Sequence, residues 1–285
     1  MARLSFLFYV LGRYAARQST TCPHCASPDT VRIGRKKLLL ELRRCRTCGL
    51  MFRYPKDDAA KNRAYYQDDY RDPNVTSLPD EAALKASMAQ GFGGGNLDFT
   101  RHIAHIRTAG GAGKLLDLGC SWGYGVWQFR RAGFDALGFE ISKPRARFGR
   151  ERLGVEIIDS LDRLAALPDA AFDVVHASHV LEHLPDIAMT LRFVRRVLRP
   201  GGLFAIYVPN CGGTTAQRLG LAWGGSISEE HVLALDARFF ATNLPTYGFT
   251  TIAFGSAPYD HQVASLAAAE AANSLAGQEL LVLAQ

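Results

Sequence analysis

Two acidic residues lie at the ends of two apolar stretches that predict neighbouring strands. Asp117 is near the end of Lys114–Leu118, and Glu140 directly follows Asp135–Phe139. The carboxyl ends of parallel strands are where α/β proteins bind ligands, and an acidic residue at this distance from a glycine-rich turn suits the two hydroxyls of a ribose. The turn, residues 119–125, lets the backbone approach a ligand closely and leads into a helix with free N–H groups. Because Asp117 is acidic, we predict a hydroxyl-bearing or cationic ligand here rather than a phosphate.

Four of the six cysteines form two C-x2-C pairs of the kind that binds a metal ion. Each pair presents two thiolates, and two such pairs can hold one tetrahedral zinc ion. A site of this kind is closed, so the metal would be structural rather than catalytic. Disulfides in an exported protein and an iron–sulfur centre are the alternatives, whereas zinc implies a reducing compartment and hence the cytoplasm. The predicted ligands are Cys22, Cys25, Cys45 and Cys48.

Three segments together carry a resemblance to a known family. They are KLLDLGCSWGYG at residues 114–125, FDVVHASHVLEHLPD at 172–186 and LRPGGLFAIYVPN at 198–210. These segments resemble the class I S-adenosylmethionine-dependent methyltransferases, in the branch with a V-L-E-H segment after the fourth strand. The resemblance covers residues 111–285 and implies an α/β fold with a Rossmann-like seven-stranded methyltransferase sheet and S-adenosyl-L-methionine as cofactor. The chain departs from the family at Ser121, where a glycine is usual.

Strands and helices alternate after residue 113, which is the pattern of a parallel sheet with helices on both faces. Two further strands complete the seven that the resemblance implies. The predicted strands are 114–118, 135–139, 155–158, 172–176, 203–208, 249–254 and 279–283.

The resemblance also implies which residues contact the cofactor. Glu140 would bind the ribose hydroxyls, Ile141 would pack on the adenine, and Asp159 with Ser160 would bond the adenine amino group. Asp159 has an alternative role as the N-cap of the following helix. The full predicted set is Asp117, Gly119, Cys120, Ser121, Gly123, Glu140, Ile141, Asp159, Ser160 and His176.

Histidines supply the candidates for proton transfer. His231, preceded by Glu230, lies in the insert after the fifth strand, and such inserts carry acceptor recognition in related enzymes. A histidine titrates near neutrality and can take a proton as the methyl group arrives, so we predict His231 as general base; in the alternative, the pair only shapes the insert. His179 is predicted to border the methyl-transfer site, and His183 to be a hydrogen-bonded buried histidine. No further ligand is evident that would make these two a metal site.

The chain has 285 residues and a formal net charge of +6, enough for one large α/β core and a small appendage. We predict an N-terminal helix at residues 1–20, a zinc ribbon at 21–54, linker and cap helices at 55–110, and the methyltransferase domain at 111–285. The N-terminal apolar run is too short to span a membrane, which leaves packing on the body or peripheral membrane contact.

The leading functional hypothesis is methyl transfer to a small molecule, with a sugar or glycan precursor, nucleotide- or lipid-linked, as the acceptor. O- and C-methylation are both open. The alternatives are an RNA methyltransferase, a nucleic-acid-binding ribbon protein with a degenerate methyltransferase domain, and a nicotinamide-dependent dehydrogenase. The arginine-rich stretch at residues 32–53 is the feature that keeps nucleic acid among them. The oligomeric state cannot be predicted from these patterns.

Overall fold

The computed structural model describes residues 2–57, 60, 77–259, 262–263 and 275–285. The chain divides into two compact units: the first comprises residues 1–62, 179–192 and 206–284, and the second residues 63–178, 193–205 and 285. Much of the predicted linker and cap, residues 58–59 and 61–76, lies outside the described residues. Within the described part of the chain, no helix has the length and apolar character to cross a bilayer.

Strands and helices follow one another closely along the described chain. The strands are β1 (Thr30–Lys36), β2 (Leu40–Cys45), β3 (Met51–Tyr54), β4 (Lys114–Leu118), β5 (Asp135–Phe139), β6 (Ile157–Ile158), β7 (Phe172–Ser178), β8 (Leu198–Pro209), β9 (Leu233–Ala234), β10 (Ile252–Ser256), β11 (Gln262–Val263) and β12 (Glu279–Ala284). The α-helices are α1 (Ala2–Ala15), α2 (Glu81–Ala89), α3 (Thr100–Thr108), α4 (Tyr124–Arg131), α5 (Lys143–Phe148), α6 (Leu161–Ala165), α7 (Ile187–Val197), α8 (Thr214–Leu219) and α9 (Ala237–Asn243). A π-helical turn at Gly149–Leu153 extends α5, and 3-10 helices lie at Leu181–His183, Gly220–Ala222 and Leu244–Tyr247.

The smaller sheet is antiparallel, with the strand order β1-β2-β3-β9. Lys37 and Leu38 lie in the turn between β1 and β2, and both have positive φ, as hairpin turns that match the twist of their strands do. Leu38 is 85% exposed, as the tip of a hairpin turn allows. The fourth strand comes from an insert almost 180 residues further along the chain, where no local sequence pattern indicates a strand.

The larger sheet is mixed, with the strand order β11-β10-β12-β8-β7-β4-β5-β6. β4 pairs in parallel with β5 and β7, and β5 with β6. In contrast, β10 is antiparallel to both β11 and β12. The α/β fold and its seven predicted strands are confirmed, but the prediction of a parallel sheet was wrong at the edge where β10 runs antiparallel to both of its neighbours. The short β11 adds an eighth strand.

The central strands are buried along their whole apolar length. Leu115 and Leu116 of β4 are fully buried, as expected of parallel strands that are covered on both faces. The parallel register places Asp117 beside His176 of β7 and Gly138 of β5. The end of β4, where the nucleoside site was predicted, is therefore flanked by two buried strands.

Candidate cofactor and acceptor sites

The turn after β4 holds a strained, non-glycine residue. Gly123 has φ +84° and is the N-cap residue of α4, and a Cβ there would lie 2.8 Å from Val155. Ser121 also lies in the left-handed region, with φ 52°, which costs a non-glycine residue about 1 kcal/mol. Its Oγ is buried without a hydrogen-bond partner among the described residues. A buried hydroxyl in this position fits a polar ligand group, and the serine offers that group a contact that glycine lacks.

Glu140 joins the turn after β4 to the turn after β5. One carboxylate oxygen accepts a 3.0 Å hydrogen bond from the Ser121 N–H and the other a 2.7 Å bond from the Ser142 N–H. The side chain is 7% exposed, and burial raises its pKa. Each carboxylate oxygen has two acceptor sites, and the described residues occupy one on each, so the other can accept from a ribose hydroxyl.

Asp117 is paired with a histidine rather than open to solvent. The His176 Nδ1–H donates a 2.7 Å hydrogen bond to Asp117 Oδ1, and both side chains are buried. His176 Nε2 lies 2.9 Å from His102 Nδ1, and Phe99 stacks on the His102 ring. Both ring nitrogens of His176 thus have protein partners, which makes it a support for Asp117.

The predicted cofactor residues Cys120, Ile141, Asp159 and Ser160 differ in burial and in their contacts. Cys120 is fully buried and burial raises the pKa of its thiol, so it is a neutral packing residue. Ile141 is half-buried. Asp159 accepts a 2.9 Å hydrogen bond from Arg150. The alternative N-cap role for Asp159 was wrong, because Ser160 is the N-cap residue of α6.

In the first unit, the Glu230 side chain forms a hydrogen bond within the insert that contains His231. The Ser228 hydroxyl donates a 2.8 Å hydrogen bond to the Glu230 carboxylate, and Ser228 Oγ accepts hydrogen bonds from the Glu230 and His231 N–H groups. The Glu230 carboxylate therefore stabilises its own turn. This contact supports the alternative in which Glu230 shapes the insert.

A buried arginine ties this turn to the last ribbon strand. Arg53 is 1% exposed, and its Nη1 donates to the Ser228 and Glu229 carbonyls at 2.8 and 2.9 Å. The same guanidinium forms an ion pair with Asp57. β3 also pairs with β9, which begins just after His231. The ribbon therefore contacts the insert on both sides of His231, through Arg53 before it and through β9 after it. No motif in the sequence had singled out Arg53.

His179 lies between two carboxylates. Its Nδ1 is 3.2 Å from Glu182 Oε1 and its Nε2 is 2.5 Å from Glu279 Oε2. Burial lowers the pKa of His179, but these carboxylates outweigh it and raise the pKa to about 10. The ring is therefore protonated at neutral pH and cannot act as a base there. This protonated state depends in part on Glu279, which lies 100 positions further along the chain.

Replacing His179 should change how stability depends on pH. An imidazole with a raised folded-state pKa stabilises the fold fully below its unfolded pKa of about 6.5, and this stabilisation is lost as the pH rises towards 10. Because the side chain is 47% exposed, solvent screening keeps the effect to about 1 kcal/mol. We expect His179→Gln to be less stable than wild type at pH 6 and equal to it near pH 10.5, measured by urea unfolding. The half-buried His105→Gln is the control, and a pH-independent difference would contradict the assignment.

Glu182, His183 and His231 form a cluster in the first unit. Their ligand atoms all lie within 4.8 Å of one another, and the two imidazole rings are 4.7 Å apart, edge to face. Burial raises the pKa of Glu182, but the hydrogen bond to His179 outweighs it and lowers the pKa to about 2. Burial lowers the pKa of His183 to about 4. At neutral pH the cluster thus combines a carboxylate with a neutral imidazole.

The four cysteines of the ribbon lie together as free thiols. Cys22 Sγ is 3.5 Å from Cys48 Sγ, and Cys25 Sγ is 3.6 Å from Cys45 Sγ. The hydrogen bond from Cys48 lowers the pKa of Cys22 to about 5. A tetrahedral ion with Zn–S bonds of about 2.3 Å sets its sulfurs about 3.8 Å apart, so the spacing fits zinc.

Comparisons with known proteins identify a methyltransferase domain in this chain. A family model described as a methyltransferase domain matches residues 77–253. The chain is 36% identical over 126 residues to a probable S-adenosylmethionine-dependent methyltransferase of Mycolicibacterium smegmatis, covering 40% of this chain and 46% of that protein. It is 32% identical over 124 residues to a ubiquinone biosynthesis O-methyltransferase of Paramagnetospirillum magneticum, covering 42% and 47%. The chain therefore matches less than half the length of these curated relatives.

A solved structure shows the same fold at low identity. It is an S-adenosylmethionine-dependent methyltransferase from Thermotoga maritima, described as a possible histamine N-methyltransferase. The TM-score is 0.50 at 13% identity, covering 71% of this chain and 94% of that chain. Since the family model spans more than half of the chain, this protein belongs to the class I S-adenosylmethionine-dependent methyltransferase domain family.

Proposed function

We propose that this protein transfers a methyl group from S-adenosylmethionine to oxygen or carbon of a small molecule, a sugar or glycan precursor linked to a nucleotide or lipid. The observation that carries the proposal is the buried Glu140 beside Ser121 in a chain of this family. Its carboxylate is held by two backbone N–H groups and keeps acceptor sites for a ribose.

The residues around the β4 turn fit the cofactor. Glu140 binds the ribose hydroxyls, Ile141 packs on the adenine, and Asp159 with Ser160 bonds the adenine amino group. When bound, S-adenosylmethionine supplies an electrophilic methyl group on a positively charged sulfur. The methionine side contacts the turn itself through Gly119, Cys120, Ser121 and Gly123, with Asp117 held in place by His176.

The acceptor is handled by the histidine cluster of the first unit. His231 accepts the proton from the acceptor hydroxyl or acidic carbon; its Nδ1 is buried and has no hydrogen-bond partner in the described part of the chain. His179 is a fixed cation that orients Glu182, and Glu230 keeps the turn in shape. Because alignment of the two reactants supplies much of the rate of such a transfer, the rigidity of this insert matters as much as its base.

Zinc is the metal that the four ribbon cysteines suit best. Cys22, Cys25, Cys45 and Cys48 would hold it as thiolates in a closed tetrahedral site, where it stabilises the fold and takes no part in the chemistry. Arg32, Arg35 and Arg43 share the single carboxylate of Glu41, and Arg32 and Arg35 stay about half exposed. The ribbon therefore keeps a net positive face, and nucleic acid remains the second candidate partner.

The cofactor assignment is tested by calorimetric titration with S-adenosylhomocysteine, with NADH as the control ligand. We expect wild type to bind S-adenosylhomocysteine alone and Glu140→Ala to bind it about 100-fold more weakly, since two hydrogen bonds to a charged acceptor are lost. Glu140→Gln, which keeps an acceptor oxygen, should lie between them.

Glu156→Ala is the matched control, because Glu156 is exposed and lies just before β6. Folding of each variant is verified by circular dichroism. Unchanged affinity in a folded Glu140→Ala protein, or NADH binding in preference to S-adenosylhomocysteine, would contradict the assignment.

A further inference from the structure

The cluster of Glu182, His183 and His231 contains polar atoms that the protein leaves unsatisfied. Glu182 is 1% exposed, and its Oε2 has no hydrogen-bond partner among the described residues. The buried Nδ1 of His231 likewise has none within that part of the chain. Leaving a buried carboxylate oxygen without a partner is costly. Two such atoms in one cluster point to a ligand that binds both.

The orientation of His183 fits the same ligand. Its Nδ1 lies 3.1 Å from the Glu230 carbonyl oxygen, so the Nδ1–H donates to that oxygen. The lone pair of the neutral ring is then on Nε2, which lies 3.8 Å from Glu182 Oε1. Histidines that bind metals typically donate their other ring N–H to a carbonyl or carboxylate in this way.

We infer that Glu182, His183 and His231 bind a divalent first-row transition metal. An ion about 2.1 Å from three ligands sets them about 3.4 Å apart in a tetrahedral arrangement. His183 Nε2 and Glu182 Oε1 are 3.8 Å apart, close to this value, and all the ligand atoms of the cluster lie within 4.8 Å of one another. Two imidazoles and one carboxylate favour zinc or iron(II) over magnesium or calcium, which prefer oxygen ligands.

Three protein ligands leave at least one coordination position open. Sites of this composition are typical of catalysis, because a water or substrate oxygen completes the coordination. An acceptor hydroxyl bound there would lose its proton more readily, and His231 would then serve as a metal ligand rather than as a free base. The inference goes beyond the proposed function, which includes no metal in the chemistry. It can be tested by metal binding alone, without acceptor or cofactor.

The test is a metal titration of the 285-residue chain whose four-cysteine site already holds zinc. Cobalt(II) is added, and bound metal is counted by native mass spectrometry while absorption spectra are recorded. We expect one further equivalent, with d–d bands but no thiolate-to-cobalt charge-transfer band. Glu182→Gln and His231→Asn should each lose this second equivalent and keep the ribbon zinc.

Glu156→Gln and His105→Asn are the matched controls, since they remove an exposed acid and a half-buried histidine elsewhere; both should bind two equivalents. Retention of the ribbon zinc together with an unchanged circular dichroism spectrum shows that a variant is folded. The inference is overturned if wild type binds a single equivalent, or if folded Glu182→Gln and His231→Asn still bind the second one. Either result would leave S-adenosylhomocysteine binding and a metal-free role of His231 unaffected. Failure of the metal inference can therefore be distinguished from failure of the proposed methyl transfer.

Discussion

His231→Asn is expected to lower kcat for methyl transfer by roughly 10²- to 10⁴-fold, the usual contribution of a general acid or base. The ring lies on a turn that Ser228 caps and Arg53 holds, and asparagine fits that space without replacing the proton acceptor. The measurement is transfer of a labelled methyl group from S-adenosylmethionine to a panel of nucleotide-linked sugars. S-adenosylhomocysteine affinity should stay at the wild-type value, because His231 is not among the proposed cofactor ligands.

Two comparisons make this result specific. His105→Asn removes a half-buried histidine elsewhere and should leave kcat unchanged. Treatment with a chelator separates the two roles proposed for His231: turnover that persists without metal identifies a base, whereas turnover that requires added metal identifies a ligand. A His231→Asn enzyme with wild-type kcat would show that this histidine does neither.

Cys45→Ser is expected to release the ribbon metal and unfold β1 to β3. Cys45 is fully buried and ends β2, and its N–H bonds the Leu50 carbonyl across the second cysteine loop. Structural zinc contributes about 10 kcal/mol or more to the folding of so small a module, and a serine hydroxyl is a poor replacement for a thiolate. We expect loss of zinc by elemental analysis and rapid amide exchange throughout these three strands.

The effect should extend beyond the ribbon. Among the described residues, β9 pairs with β3 alone in the smaller sheet, and the carbonyls of Ser228 and Glu229 accept hydrogen bonds from Arg53. Residues 228–234 should therefore also exchange faster in Cys45→Ser. Cys211→Ser is the control, because this half-buried cysteine lies outside the four-cysteine cluster. Wild-type protein that is fully folded without metal would contradict the zinc assignment.

Features set by neighbouring residues were predictable. β4 and β5 have the predicted bounds because each is an apolar run bounded by turn residues. The four cysteines were expected to lie together because each C-x2-C loop brings two sulfurs to one point. Gly123 was expected in the turn after β4, and it has the positive φ that such a turn requires.

Features set by distant residues were not predictable from local patterns. β9 is only two residues long, and it is a strand because β3 provides its hydrogen bonds. In the sequence, Arg53 is one of several basic residues of the ribbon. Its hydrogen bonds to the Ser228 and Glu229 carbonyls could not be predicted, because these residues are about 175 positions away. Ser121 departs from the family pattern, but only the fold shows its positive φ and its buried hydroxyl, which has no hydrogen-bond partner in the described part of the chain.

The chemistry of the histidines was decided by the tertiary structure. Residue types and spacing indicated which histidines could transfer a proton, because an unperturbed imidazole titrates near neutrality. The fold then placed His179 between Glu182 and Glu279, which makes it a cation, and buried His183, which makes it neutral. A pKa depends on the charges and solvent around a group rather than on its neighbours in sequence. The sequence by itself therefore determined the family and the candidate residues, and the packing of distant segments decided what each of them can do.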